Sequence, residues 1–153
     1  MRIADILSPG RVLCDVEAGS KKAMLERLSA LVAAEVPQHT PSEVFDSLLA
    51  RERLGSTGVG HGVAIPHGRL SHCDRAYGAF IRARTPIDFD AIDRQPVDLF
   101  FALLVPEQAT DAHLHLLAEL AEMFSHRELV ARLRADPSAD GLFELLTDRS
   151  PNG

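Results

Sequence analysis

The chain has 153 residues, two cysteines and a formal net charge of −6. That length fits one domain, burying roughly 70% of the surface its unfolded form would expose. The acidic balance lacks the clustered Lys and Arg that hold nucleic acid, no apolar run approaches a membrane span, and the N-terminus has no signal-peptide core. A cytoplasmic protein with no nucleic-acid partner and no membrane insertion is expected.

Ile3, Ile6 and Leu7 suit a helical turn before Pro9-Gly10, and Val12-Leu13-Cys14 suits a first strand. Cys14 and Cys73 stand far apart without a metal-like spacing and read as reduced packing residues. Over 21–36, Met24, Leu25, Leu28, Leu31 and Val32 recur at helical spacing behind Ser20 as N-cap. Thr40-Pro41-Ser42-Glu43 combines an N-cap, a first-turn proline and a reciprocal capping glutamate. A second helix therefore starts there, buries Val44, Phe45, Leu48 and Leu49, and stops at Gly55, leaving Arg51 in its last turns.

The stretch 51–69, RERLGSTGVGHGVAIPHGR, is the centre of the chain. Its glycines let the backbone turn tightly and aim several N–H groups at one anion. Pro66 biases Ile65 towards an extended conformation, so 63–65 should form a short strand that presents His67 at its end. The stretch lacks the Gly-Lys-Ser/Thr of a P-loop, the third glycine of a dinucleotide fingerprint and any Gly-x-Ser-x-Gly.

Beyond it, 77–83 reads as a strand and 87–90 as an edge piece or turn. The nearly continuous apolar run 97–105, closed by Pro106, reads as a central strand covered on both faces. Thr110 or Asp111 should cap a helix through Phe124 whose apolar side is Leu116, Leu117, Leu120, Ala121 and Phe124. His113 shares a face with Leu117 and Leu120, whereas His115 sits about 200° away, so His113 turns inward. Ser125-His126-Arg127-Glu128 repeats the capping-box pattern before a short helix with Leu129, Val130 and Leu133, and Leu142, Leu145 and Leu146 mark a last one. His39, His72, His115 and His126 read as solvated, and His61 has no assigned role. Helices bracketing every strand group give an α/β fold: a small mixed sheet flanked by helices on both faces, in one domain over 2–148 with a loose tail at 149–153.

A neutral imidazole is a good nucleophile near physiological pH and carries a phosphoryl group through one ring nitrogen. Phosphoryl transfer asks the protein chiefly for positioning and charge stabilisation. Backbone N–H groups of the glycine loop, the Ser56 or Thr57 hydroxyls and the Arg51 guanidinium would serve the phosphate oxygens, although Ser56 and Thr57 would equally organise the turn. His113, at a helix N-terminus, would add positive potential and one hydrogen bond.

Arg51-Glu52, Gly55-Ser56-Thr57-Gly58-Val59-Gly60 and Ala64-Ile65-Pro66-His67-Gly68 also carry a resemblance. So do Phe89-Asp90-Ala91-Ile92-Asp93, Gln95-Pro96-Val97-Asp98, Val105-Pro106 and His113-Leu114-His115. Together they resemble the type-2 enzyme IIA domain of the phosphoenolpyruvate-dependent phosphotransferase system, and within it the nitrogen-regulatory branch. The resemblance implies a five-stranded mixed sheet and a phosphocarrier whose catalytic His67 accepts a phosphoryl group at Nε2, forming tele-phosphohistidine. It implies a phosphorylated histidine carrier protein of the HPr type as donor. His113 and Arg51 become stabilisers, with Ser56, Thr57 and Gly58 as the expected phosphate-binding loop. No enzyme IIB segment or membrane domain is recognised, which favours a regulatory output through protein targets over the alternative of a sugar-specific, fructose- or mannitol-type component.

A metal-dependent hydrolase or sensor built on His61, His67, His113 and His115 is the competing class. No His-Glu-x-x-His, cysteine pairing or carboxylate next to His67 accompanies them in the sequence, so neither metal nor cofactor is expected. A third class, a binding regulator switched by the added phosphate charge, is compatible with phosphotransfer.

Overall fold

The structure is a computed structural model that describes residues 2–148; the tail expected at 149–153 lies outside the described residues. The elements run α1 (Ile3–Ile6), a 3-10 turn (Pro9–Arg11), β1 (Val12–Val16), α2 (Lys21–Ala33), α3 (Pro41–Glu52), β2 (Gly58–Gly60), β3 (Val63–Ala64) and β4 (His67–Leu70). They continue with β5 (Tyr77–Ile87), β6 (Val97–Pro106), α4 (Asp111–Ser125), α5 (Arg127–Ala135) and α6 (Ala139–Thr147). No helix among the described residues is long and apolar enough to cross a membrane.

Among the described residues the sheet has six strands, ordered β1-β5-β6-β3-β2, with β4 paired to β6 in the same lane as β3. β3 occupies Leu99 and Phe100 of β6, and β4 takes over from Leu103 to Pro106. The sheet is thus five lanes wide, as expected, with one lane filled by two short strands. It is mixed: the β1–β5, β3–β6 and β4–β6 pairs are parallel, whereas β5–β6 and β2–β3 are antiparallel.

β6 is the spine because its side chains are apolar on both faces. Phe100, Ala102 and Leu104 pack with Met24, Leu25 and Leu28 of α2 and with Val44 and Leu48 of α3. Leu99, Phe101, Leu103 and Val105 pack on the opposite side with Leu116 and Leu120 of α4, Leu133 of α5 and Leu142 of α6. Phe80, Phe101 and Phe124 form an aromatic cluster with centroids 6.2 to 6.5 Å apart.

The caps explain the helix starts. The Ser20 hydroxyl accepts from the Ala23 N–H at 3.1 Å, and Thr40 and Glu43 close the predicted capping box. Several expectations are corrected. α2 stops at Ala33, because residues 34–35 tighten into a turn before Pro37. On α4, Met123 is buried and Ala121 exposed, because the buried stripe runs along Leu116, Leu120, Met123 and Phe124. Ser125 caps nothing: its hydroxyl donates to the Glu122 carbonyl at 2.6 Å, and α5 starts from His126 without a side-chain cap. His39 is buried, its Nδ1 donating to Glu43 at 3.1 Å.

Candidate active site

β3 ends at Ala64 and β4 resumes at His67, because Pro66 has no N–H for a ladder. His67 therefore opens β4 instead of ending the strand at 63–65. The Pro66 carbonyl still accepts from Leu103 at 2.9 Å, holding the kink against β6. The kink turns the Ile65 carbonyl onto His67 Nδ1 at 2.8 Å. A carbonyl only accepts, so Nδ1 carries the proton and Nε2 keeps its lone pair. Burial holds the imidazole below its ordinary value of 6.5; the Ile65 carbonyl opposes that shift, the Arg51 charge adds to it and Glu52 opposes it. At neutral pH the ring is uncharged and Nε2 is a competent nucleophile.

His113 arrives in the complementary state. It is only 8% exposed, turned inward as helical periodicity predicts, and accepts at Nδ1 from the Thr110 N–H at 3.2 Å. Its ring proton accordingly resides on Nε2, which becomes a donor. Arg51 comes from the opposite layer. Among the described residues β4 pairs only with β6, and α3 packs along β4. In the last turn of α3, Arg51 bends back so that Nη1 donates to the Gly55 carbonyl at 2.9 Å.

Arg51, His67 and His113 line one cavity of about 500 Å³, walled by Leu54, Leu114 and Leu117. Leu54 is 84% exposed and Leu114 50%, so the mouth is apolar while the interior holds one acceptor nitrogen and two donors. An anion carrying several oxygens is the ligand this arrangement suits.

The loop residues behave differently. The Ser56 hydroxyl donates to the Phe89 carbonyl at 2.7 Å and accepts from the Gly58 N–H at 3.0 Å. The Thr57 N–H and hydroxyl both go to Glu52, and Gly58 packs against Ala91. Ser56, Thr57 and Gly58 do not line the cavity with His67; they shape the turn behind it. His61 is exposed at the β2–β3 turn, its N–H on Asp93 at 2.9 Å, and His115 faces solvent. Among the described residues no group of three or more His, Cys, Asp or Glu side chains is placed to hold a metal.

Sequence reading assigned no role to Glu52, whose charge reaches His67 although it is distant in the chain, and expected an apolar rim without naming Leu54 and Leu114 as its residues. Leu54 and Leu114 were visible as large apolar residues at otherwise polar positions beside Gly55 and between two histidines.

The family described as "Phosphoenolpyruvate-dependent sugar phosphotransferase system, EIIA 2" matches residues 5–149. The nitrogen regulatory protein of Pseudomonas aeruginosa is 48% identical over 148 residues, 97% of this chain and 96% of that protein. The crystal structure of nitrogen regulatory protein IIA-Ntr from Neisseria meningitidis superposes with a TM-score of 0.89 at 45% identity, covering 95% of this chain and 99% of that one. Sugar-specific relatives are more distant: the fructose-specific EIIABC component of Bacillus subtilis is 25% identical over 95% of this chain, which spans only 23% of that protein.

Proposed function

This chain belongs to the phosphoenolpyruvate-dependent sugar phosphotransferase system EIIA 2 family, and on that premise we propose that it is a nitrogen-regulatory enzyme IIA, a phosphocarrier that takes its phosphoryl group on His67. The donor is a phosphorylated histidine carrier protein of the HPr type, and the setting is the cytoplasm. The Nε2 lone pair attacks phosphorus, the phosphorus–nitrogen bond to the donor's imidazole breaks, and that ring leaves with the electron pair. No proton need move on His67, because the Nδ1–H stays on the Ile65 carbonyl. The Arg51 guanidinium and the His113 Nε2–H meet the non-bridging oxygens. Ser56, Thr57 and Gly58 keep the loop in shape.

The observation that carries this reading is the Nδ1 bond to Ile65, which leaves Nε2 as the free nucleophile of a ring that shares its cavity with two donors. Regulation follows from the rim. About −1.5 to −2 charges added inside an apolar mouth change which protein surfaces can dock there. Full-length likeness to nitrogen regulatory proteins favours this output over sugar transport, since the sugar-specific match is far weaker.

Incubation with the phosphorylated carrier tests the assignment. Wild-type protein should take up one acid-labile phosphoryl group, and His67→Ala should take up none while unfolding at the same temperature. Label retained in His67→Ala would reject it.

A further inference from the structure

Glu52 and Arg51 are neighbours in the last turn of α3, so their side chains point about 100° apart. Arg51 lines the cavity; Glu52 points into the protein and is 6% exposed. A buried carboxylate is costly unless its oxygens are filled. Here they are. Lys21 Nζ lies 2.7 Å from Oε2, and Oε1 accepts from the Thr57 N–H at 3.0 Å and from the Thr57 hydroxyl. Lys21 rests 4.8 Å above the Phe89 ring, and the Phe89 carbonyl receives the Ser56 hydroxyl. Residues 53–57 are thus tied at their far end to the first turn of α2 and to residue 89, and between those ties lies Gly55, whose carbonyl receives Arg51.

We propose that Glu52 is the positioning residue of this site: by gripping Thr57 against Lys21 it fixes the 53–57 loop, and the Gly55 carbonyl of that loop aims the Arg51 guanidinium at the phosphoryl group. The role rests on the phosphocarrier reading above. Glu52 does not line the cavity and touches no reacting atom, so it acts through Arg51. Its negative charge also opposes that of Arg51 at His67, keeping the imidazole from losing still more proton affinity.

A double-mutant cycle on the full chain separates this role from mere stabilisation, with phosphorylated HPr-type carrier as donor. Glu52→Gln keeps the shape and removes the charge, Thr57→Val removes the hydroxyl grip, and Thr57→Ser restores it. Glu52→Gln and Thr57→Val should each slow phosphorylation of His67 about tenfold, Thr57→Ser should stay within about twofold of wild type, and neither slow variant should lose more in an Arg51→Ala background. The His67 titration midpoint, followed by NMR, should fall in Glu52→Gln. Equal losses with and without Arg51, or unchanged rates in Thr57→Val, overturn the role; if Glu52→Gln fails to fold, Thr57→Val decides alone. Wild-type protein that takes no phosphoryl group would overturn the reading of the site and this role with it, whereas normal wild-type labelling with unchanged variants overturns this role alone.

Discussion

Gly68 sets the distance between the two elements that supply His67 and Arg51. A Cβ on Gly68 would overlap the Ser47 hydroxyl and lie 2.9 Å from the Ser47 carbonyl oxygen and 3.0 Å from its carbon. A hydroxyl can rotate away; helix backbone cannot. Gly68→Ala must therefore push α3 off β4, an overpacking cost of about 1–3 kcal/mol. At about 2–4 °C per kcal/mol for a domain of this size, thermal unfolding should come about 2–12 °C earlier. The same displacement carries Arg51 away from His67, so phosphoryl uptake from the carrier should slow about tenfold at a temperature where the variant is fully folded. Adding Ser47→Ala should recover only part of the loss: the hydroxyl goes, along with its 2.7 Å bond to the Arg69 carbonyl, but the main-chain atoms stay. Calorimetry and a single-turnover transfer assay measure both effects. An alanine variant with unchanged unfolding temperature and unchanged uptake would refute the close approach as the reason for glycine here.

Four further outcomes are expected. His113→Ala should slow transfer about 10- to 100-fold, as for loss of a charge-assisted hydrogen bond, while leaving His67 as acceptor; unchanged rapid-quench rates would reduce His113 to the capping partner of Thr110. Because burial lowers the His67 proton affinity, transfer should be flat with pH above the ordinary value of 6.5 and weaken only below it. The unfolded chain takes up that proton first, so stability should also decline as pH falls below 6.5, and His67→Ala should remove that slope from a urea-unfolding series. Arg134 Nη2 donates at 2.6 Å to the His61 carbonyl, and its guanidinium makes paired bonds to Asp98. The Asp98 and Leu99 amides in turn donate to Gly62, which sits at φ +79° under that clamp. Arg134→Met should cost about 1 kcal/mol and speed hydrogen exchange of those two amides, without removing label from His67.

Local chemistry explains which features were legible in the sequence. Thr40 and Glu43 cap each other within one turn, β6 declares itself by a nearly continuous apolar run, and the inward turn of His113 follows from helical periodicity alone. The features that escaped depend on partners far along the chain. Ser56 and Thr57 sit in a glycine-rich loop and read equally as ligand contacts or as organisers of the turn, and only the folded chain brings Phe89 and Glu52 to their hydroxyls. Glu52 looks like a solvated helix end until Lys21 is folded against it. His39 looks equally solvated and is instead buried over α3 on Glu43. The division of one lane between β3 and β4 was hidden because Pro66 signals a break without revealing that the chain rejoins the same neighbour.

The most direct measurement is heteronuclear phosphorus–nitrogen NMR of the full chain after reaction with the phosphorylated carrier. The single new phosphorus–nitrogen coupling should fall on Nε2 of His67, with the Nδ1 proton still present and still bonded to the Ile65 carbonyl. A phosphoryl group on Nδ1, or on any other histidine, would contradict the site described.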